Sequence, residues 1–179
     1  MKLIEPVVIT GFMGCGKTEV ARRLAQRLNV EMADLDELIS QTEGLTPATL
    51  IRERGERGFR TIETGVLNLI LNKKTAGVIA LGGGAWIETL NRDAIRDAGA
   101  ITVWLDTPFD ICWKRIAASS EDRPLGKTRE QASELFGLRL PVYALASIRI
   151  EVASDDNTDR LCSRIEAEIA RIRELEVQN

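Results

Sequence analysis

The 179-residue sequence contains no histidine at all. Imidazole is the commonest general base in enzymes and a frequent metal ligand. Its absence therefore excludes a Ser-His-Asp triad, a histidine base and a histidine metal site. Acid–base chemistry in this chain must use carboxylates, lysine, tyrosine or water.

Cysteine is scarce as well, because the chain has only Cys15, Cys112 and Cys162. The three residues are scattered along the chain, odd in number and not spaced as metal ligands are. This pattern argues against a disulfide framework and against a zinc site. It favours a reducing environment, for which the cytoplasm is the default.

Long apolar runs and a strong charge of either sign are also missing. The chain runs almost directly into an apolar strand pattern without a basic and apolar leader, so we expect neither secretion nor membrane insertion. The net charge is −3 with both signs interspersed, so we expect no nucleic-acid partner. Since no exposed interaction stripe is obvious, we expect a monomer.

What the sequence does contain is a regular alternation of short apolar runs and amphipathic segments. Strand patterns occupy residues 7–10, 31–33, 77–81, 101–105 and 148–152, with helical patterns between them. This order predicts an α/β fold with three layers, α/β/α, around a five-stranded parallel sheet covered on both faces. The length suits a single domain over residues 1–179. Ligands of such sheets bind beyond the carboxyl ends of the strands.

Two helical segments are less regular than the others. Thr46-Pro47 has the pattern of an N-cap and a first helical residue, but the stretch from Gly55 to Arg60 interrupts the helical region that follows. A longer helix is expected from Phe59 onward. Later in the chain, a helical pattern over 129–140 is followed by Pro141, so we expect that helix to end at residue 140.

The most specific motif is Gly11-Phe12-Met13-Gly14-Cys15-Gly16-Lys17-Thr18, which fits the phosphate-binding P-loop pattern G-x-x-x-x-G-K-[ST]. A strand pattern precedes it and a helical pattern follows it, which is the setting that the motif requires. Its glycines let backbone N–H groups wrap a polyphosphate, and the start of the helix adds a positive dipole end. Lys17 is expected to reach the β- and γ-phosphates, and the Thr18 hydroxyl to bind Mg²⁺.

Two carboxylates and a glycine cluster follow the next strand patterns. Asp34 and Asp36 could divide the tasks of holding a metal and orienting an attacking hydroxyl, or they could merely cap the next helix. Gly82-Gly83-Gly84 is either a place where a ligand approaches the backbone closely or a flexible turn. The residue patterns alone leave both alternatives open.

Three arginines are candidates for binding an anion. Arg60 lies near the start of a helix, Arg123 lies in a polar loop and Arg139 precedes a proline. A guanidinium group stays charged and binds carboxylate or phosphate with two hydrogen bonds. Single arginines are more often solvated surface residues, so this pattern also leaves two alternatives.

Taken together, these motifs resemble the shikimate kinase family, within the nucleoside-monophosphate-kinase-like group of P-loop proteins. The resemblance spans nearly the whole chain, and the motifs occur in the family's order at similar spacings. They are the P-loop, Asp34-Leu35-Asp36, Gly55-Glu56-x-x-Phe59-Arg60-x-x-Glu63, Gly82-Gly83-Gly84, Arg123-Pro124-Leu125 and Arg139-x-Pro141-x-Tyr143. The resemblance implies transfer of the ATP γ-phosphate to the 3-hydroxyl of shikimate with Mg²⁺, a step toward chorismate and the aromatic amino acids.

The resemblance also implies roles for individual residues. Catalysis would use Lys17, Asp36 and Arg123. ATP would be bound by Gly14, Cys15, Gly16, Lys17, Thr18, Glu19, Arg115 and Arg123, with residues 155–157 on the other side of adenine from Arg115. The metal would be held by Thr18 and Asp34. Shikimate would be bound by Asp36, Arg60, Gly82, Gly83, Gly84 and Arg139, with Glu63 orienting Arg60.

Two segments follow from the same resemblance. Residues 34–62 would form the substrate-binding segment. Residues 119–128 would form a mobile lid, which carries Arg123 to the transferring phosphate and keeps water from hydrolysing ATP. One position departs from the family's pattern: Glu19 stands where the family often has a small hydroxyl residue near the α-phosphate. A carboxylate there would repel phosphate unless it turns outward.

Two other functions stay open at this point. Another small-metabolite kinase, such as a gluconate kinase, would share the P-loop and the architecture. The combination of Asp36, Arg60 and Arg139 favours a cyclic hydroxy acid over gluconate. The second alternative is a nucleotide-binding module without catalysis, which Glu19 hints at and an intact Lys17 argues against.

Overall fold

The computed structural model describes residues 5–119 and 128–177. Its strands are β1 (Val7–Thr10), β2 (Met32–Asp34), β3 (Val78–Ala80), β4 (Ile101–Asp106) and β5 (Ile148–Glu151). Its α-helices are α1 (Lys17–Leu28), α2 (Leu35–Glu43), α3 (Pro47–Lys73), α4 (Thr89–Asp97), α5 (Phe109–Ala118), α6 (Arg129–Tyr143) and α7 (Thr158–Val177). A short 3-10 helix, Ala85–Ile87, lies between β3 and α4.

The strands form one parallel sheet in the order β2-β3-β1-β4-β5. Val8 of the central strand pairs with Ile79 of β3 and with Thr102 of β4. Every residue of β1 and β3 is buried, as expected for parallel strands covered on both faces. The edge strand β5 instead alternates buried and exposed residues. The predicted five-stranded parallel sheet is confirmed.

Helices cover the sheet and complete the three predicted layers. α1 packs against α7, and α3 packs against α4. Each of these helices turns apolar side chains inward at helical spacing. Leu24 of α1, Leu67 of α3 and Ile165 of α7 are fully buried as a result. The sheet is therefore the middle layer of one continuous core.

The interruption predicted near Gly55 is a kink inside a single long helix, α3. Thr46 caps this helix through its hydroxyl, which accepts from the N–H of Thr49 at 3.2 Å, and Pro47 is the first helical residue. Gly55 has φ 72° and ψ 166°, a conformation that glycine adopts easily. Only Gly55 departs from helical backbone angles. The second half of α3 therefore begins directly after Gly55, a few residues earlier than the predicted start at Phe59.

The end of α6 differs from our prediction, because the helix continues through Pro141 to Tyr143. Proline removes one backbone hydrogen bond, which costs less near a helix end than in the interior. The last turn is held by other contacts. The N–H of Ala144 donates to the carbonyl of Leu140 at 3.1 Å, and Trp86 Nε1 donates to the carbonyl of Val142 at 2.9 Å.

Within residues 5–119 and 128–177, no helix is both long and apolar enough to cross a membrane. The three cysteines are buried free thiols. Burial raises the pKa of Cys112 to about 12 and that of Cys162 to about 11, so both are protonated core groups at neutral pH.

The fold brings three chain segments to the carboxyl edge of the sheet. The P-loop follows β1, Asp34 ends β2, and Gly82–Gly84 follows β3. Because β2, β3 and β1 are neighbours in the sheet, these segments lie side by side. This is the edge at which parallel α/β sheets bind their ligands.

Candidate active site

The loop after β1 holds Lys17 over its own backbone. Lys17 is buried, and its Nζ donates to the carbonyl oxygens of Gly11 at 3.0 Å and Phe12 at 2.9 Å. The ammonium group therefore lies within the curve of the loop, where it can neutralise a phosphate. No described side chain caps the N-terminus of α1, so its first N–H groups are available to an anion.

Two further residues predicted to bind the nucleotide flank this loop. Arg115 of α5 donates from NH1 to the carbonyl of Gly14 at 3.2 Å. Glu19, in the first turn of α1, accepts from the hydroxyl of Thr158 at 2.6 Å, at the start of α7. Its carboxylate is thereby held at the start of α7, and Glu19 still lines the cleft beside the P-loop.

Thr18 and Asp34 meet at the predicted metal site. The Thr18 hydroxyl donates to Oδ2 of Asp34 at 2.6 Å. Oδ1 of Asp34 accepts from the N–H groups of Asp36 and Glu37, at 3.0 and 3.2 Å, so Asp34 also caps α2. A hydroxyl and a carboxylate fit Mg²⁺, which uses one or two carboxylates and completes its shell with water and substrate phosphates. Among the described residues, no group of three or more His, Cys, Asp or Glu side chains could hold a metal.

The glycine turn after β3 is approached closely by Asp36 and Arg60. Oδ1 of Asp36 lies 2.5 Å from the point that a Cβ at residue 82 would occupy. The guanidinium of Arg60 lies against Gly84 in the same way and would overlap a Cβ there. A side chain at residue 82 or 84 would therefore displace Asp36 or Arg60 from the turn.

Two side chains from α6 reach the same turn from another direction. Arg139 donates from NH1 to the carbonyl of Gly83 at 3.1 Å, and the Tyr143 hydroxyl donates to the same oxygen at 2.5 Å. Tyr143 is fully buried, and burial raises its pKa, so the hydroxyl stays protonated and donates. The turn thus collects residues from α2, α3 and α6.

Arg60 is held in place by a buried carboxylate. Its NH1 donates to Oε2 of Glu63 at 2.7 Å, and the Glu63 side chain is 1% exposed. Burial raises the pKa of Glu63 to about 7; the guanidinium of Arg60 acts against this rise, whereas Asp36 and Glu88 add to it. Oε1 of Glu63 has no hydrogen-bond partner in the described part of the chain. The geometry agrees with the predicted role of Glu63 in orienting Arg60.

A cleft of about 850 Å³ lies over these groups. Its walls include Lys17 and Thr18 of the P-loop, Asp36 of α2 and Gly83 of the turn. Arg60 and Arg139 are largely buried beside the turn. A cleft of this volume, with the P-loop at one side and Asp36 and the glycine turn at the other, suits a nucleotide and a second small molecule.

Comparison with known proteins identifies this arrangement. A protein-family model described as shikimate kinase matches residues 13–170. The chain belongs to the shikimate kinase family. The shikimate kinase of Persephonella marina is 35% identical over 144 residues, which cover 80% of this chain and 87% of that protein. The shikimate kinase of Cereibacter sphaeroides is 36% identical over 172 residues, which cover 94% of this chain and 84% of that protein.

A solved structure of the same family has a similar fold. The shikimate kinase from Acinetobacter baumannii in complex with shikimate matches with a TM-score of 0.86 and 33% identity, covering 94% of this chain and 95% of that one. As a member of the shikimate kinase family, the protein is an ATP-dependent phosphotransferase. The predictions of fold, family and reaction class are therefore confirmed.

The structure brings together most of the residues predicted for the site. The P-loop, Asp34, Asp36, Arg60, Gly82–Gly84 and Arg139 meet at one edge of the sheet, and Arg115 contacts the P-loop. Arg123, with residues 120–127 of the predicted lid, lies outside the described residues. The roles assigned to individual residues stay predictions.

Three neighbours of the site were not assigned a role from the sequence. Tyr143 was part of a motif, but its hydrogen bond to Gly83 depends on the packing of α6 against the turn. Arg52 lines the cleft from the first half of α3. Glu88 lies 3.9 Å from Nε of Arg60, and no local pattern marks it. Contacts of this kind connect residues that are distant in sequence, so a motif search does not find them.

Proposed function

We propose that this kinase transfers the γ-phosphate of ATP to the 3-hydroxyl of shikimate, giving shikimate 3-phosphate and ADP. The observation that carries the proposal is the convergence of Asp36, Arg60 and Arg139 on one glycine turn next to the P-loop. Two guanidinium groups and a carboxylate suit a small acid that also carries hydroxyl groups. The shikimate complex of the Acinetobacter relative supports the same substrate.

The nucleotide is expected to bind on the P-loop. Lys17 would leave the loop carbonyls for the β- and γ-phosphates, and the backbone N–H groups of Gly14, Cys15 and Gly16 would hold the phosphates. Arg115 would stack on adenine, with residues 155–157 on the opposite side. Glu19 would remain hydrogen-bonded to Thr158, which directly follows residues 155–157.

Thr18 and Asp34 would hold magnesium, with Asp34 acting through a water molecule. Their oxygen atoms already lie within hydrogen-bond distance of each other, which supports a shared ligand at this point. Bound Mg²⁺ would neutralise the charge on the β- and γ-phosphates. The hydrogen bonds from Asp36 and Glu37 to Asp34 would fix the orientation of its carboxylate.

Asp36 is our candidate for binding shikimate hydroxyls and for orienting, or deprotonating, the attacking one. Arg60 and Arg139 would grip the carboxylate, helped by the backbone of Gly82–Gly84. In this arrangement the acid group anchors the ring, while the 3-hydroxyl points toward the γ-phosphate. Such positioning is the main contribution of a kinase to its rate.

Residues 34–62 would form the substrate-binding segment, and residues 119–128 would close over the bound substrate as a lid. Closure would bring Arg123 to the transferring phosphate, where a guanidinium stabilises the charge of the transition state. It would also exclude water, which otherwise competes with shikimate for the phosphoryl group. A cytoplasmic location, a monomeric state and a place on the route to aromatic amino acids remain part of this proposal.

The decisive experiment measures ADP release from ATP and Mg²⁺ with shikimate, with gluconate and with no acceptor. Release that depends on shikimate, with little in the other two reactions, is the expected result. Release with gluconate alone would contradict the assignment of Asp36, Arg60 and Arg139 as a site for a cyclic acid. A folded protein that binds ATP but releases no ADP in any reaction would support the non-catalytic alternative.

A further inference from the structure

Arg60 faces a different glutamate with each nitrogen of its guanidinium group. NH1 lies 2.7 Å from Glu63, NH2 lies 3.3 Å from Glu56, and Nε lies 3.9 Å from Glu88. Asp36 also lies near enough to Glu63 to affect its pKa. The arginine that we expect to receive an acidic substrate is therefore surrounded by an excess of negative charge.

The three glutamates differ in how easily they can be displaced. Glu63 is 1% exposed and makes the shortest contact, so it is a fixed anchor. The side chains of Glu56 and Glu88 are 50% and 43% exposed, and they face NH2 and Nε. The Nε–NH2 edge is one on which a carboxylate can form two parallel hydrogen bonds with arginine. The displaceable glutamates thus stand at the edge that a substrate carboxylate would use.

Glu88 reaches Arg60 through the tertiary fold and not through helix spacing. Glu56 lies four residues before Arg60 on α3, where such pairs form locally. Glu88 instead follows the 3-10 helix and occupies the N-cap position of α4, but its side chain makes no capping hydrogen bond. Glutamate is not among the preferred N-cap residues. Its carboxylate is directed at Arg60 and does not serve its own helix.

We propose that Glu88 sets the affinity for the acidic substrate, because its carboxylate competes with that of the substrate for the Nε edge of Arg60. This inference rests on the proposed function. An incoming carboxylate must displace Glu88, which is exposed enough to swing into water. Breaking the Arg60–Glu88 ion pair costs free energy, which lowers the affinity for the substrate.

The test is Glu88→Gln, which keeps the shape of the side chain and removes its charge. Shikimate binding is measured by calorimetry, and KM and kcat are measured at saturating ATP and Mg²⁺ in about 0.15 M KCl, where charges more than about 8 Å apart are screened. We expect Kd and KM for shikimate to fall about two- to fivefold, the range of an exposed ion pair. The values of kcat and of KM for ATP should not change. Adding Glu56→Gln should lower KM further.

Two controls separate competition from other effects. Asp93→Asn removes one negative charge from α4 at a side chain that is also 43% exposed and pairs with Arg96, so shikimate binding should not change. The methyl ester of shikimate has no carboxylate charge, so its affinity should be the same for the unmodified protein and for Glu88→Gln. Melting temperatures of the variants show whether each is folded.

The outcomes distinguish this inference from the proposed function. An unchanged or higher KM for shikimate in Glu88→Gln would overturn the inference, because Glu88 would then be neutral or would help to hold Arg60. Tighter binding of the methyl ester, or an equal gain in Asp93→Asn, would also overturn it. If the unmodified protein binds ATP but neither binds nor phosphorylates shikimate, the proposed function itself is wrong.

Discussion

Asp36 is the single residue on which the proposed chemistry depends most directly. It lies at the start of α2, and its Oδ1 is pressed close to Gly82 at the edge of the cleft. Asparagine has nearly the same size, but it cannot accept a proton from the attacking hydroxyl. Replacing Asp36 by asparagine should therefore lower the rate of turnover and leave ATP binding unchanged.

We expect Asp36→Asn to lower kcat with shikimate by about 10²- to 10⁴-fold, which is the usual contribution of a general base. The Kd for ATP should stay within a factor of two to three, measured by calorimetry. Asp97→Asn, at a side chain that is 72% exposed on α4, is the control and should behave as the unmodified protein does. Normal turnover by Asp36→Asn would show that Asp36 neither orients the hydroxyl nor accepts its proton.

Glu63 should make the stability of the protein depend on pH. Its pKa is raised by burial from 4.5 to about 7 in the folded protein. Between these values the folded state binds the proton more tightly than the unfolded state, so the contribution of Glu63 to stability falls as pH rises. At lower pH the carboxyl group is neutral, and burying it costs little free energy. At higher pH the carboxyl group is ionised, and burying it costs more.

The measurement compares urea unfolding of the unmodified protein and Glu63→Gln across this pH range. The free energy of unfolding of the unmodified protein, relative to the variant, should fall between pH 4.5 and about 7. The total decrease should be up to roughly 3 kcal/mol, because each pKa unit corresponds to about 1.4 kcal/mol. Parallel pH profiles would show that Arg60 keeps Glu63 ionised throughout.

At the scale of the elements, α3 is the helix whose shape matters most to the site. Its first half, before Gly55, contributes Pro47, Ala48 and Arg52 to the cleft. Its second half carries Arg60 and Glu63. The kink at Gly55 sets the angle between the two halves, so it determines whether both reach the same cleft.

We expect Gly55→Ala to destabilise the protein by roughly 1–3 kcal/mol, because alanine is strained at the backbone angles of Gly55. The KM for shikimate should rise as the first half of α3 shifts. Gly65→Ala is the matched control: it lies in the same helix, and its Cβ would also meet nothing within 4 Å. It should leave KM unchanged and add up to roughly 1 kcal/mol of stability. Equal stability of the two variants would contradict this account of the kink.

At the scale of the whole molecule, the site depends on the docking of α6 against the segment after β3. Arg139 and Tyr143 both donate to Gly83, and Trp86 donates back to the carbonyl of Val142. These contacts join parts of the chain that are 56 to 60 residues apart. They bring Arg139 of α6 to the turn that Arg60 of α3 also contacts.

Tyr143→Phe tests this docking, because it keeps the ring that stacks on Trp104 and removes only the hydroxyl. Loss of one buried hydrogen bond should cost about 1 kcal/mol of stability, since Arg139 still donates to the Gly83 carbonyl. The KM for shikimate should rise several-fold with kcat little changed, because the turn and Arg139 are less firmly held. Urea unfolding and steady-state kinetics check the two effects. An unchanged KM would show that Arg139 alone positions the turn.

Much of the fold follows from local patterns in the chain. The apolar runs of β1, β3 and β4 are buried on both faces wherever they occur, so their pattern indicated central parallel strands. The end of α6 was predicted wrongly at Pro141, because tertiary contacts of Trp86 and Tyr143 outweigh a lost backbone bond. The position of the kink at Gly55 was visible, but not that the helix continues through it.

The P-loop, the alternation of strands and helices that gives a parallel α/β sheet, and the kinase family could be read from the sequence, since each depends on residues that are close together or on a repeated period. The order of the strands within the sheet came from the structure. Packing alone decided the directions of individual side chains. Glu19 turns to Thr158, 139 residues away, and Arg60 meets Glu88 across the glycine turn. Such contacts form between elements that the sheet brings together. The energy of each contact depends on the burial and the charges around it in the folded protein, and a local sequence pattern does not encode these.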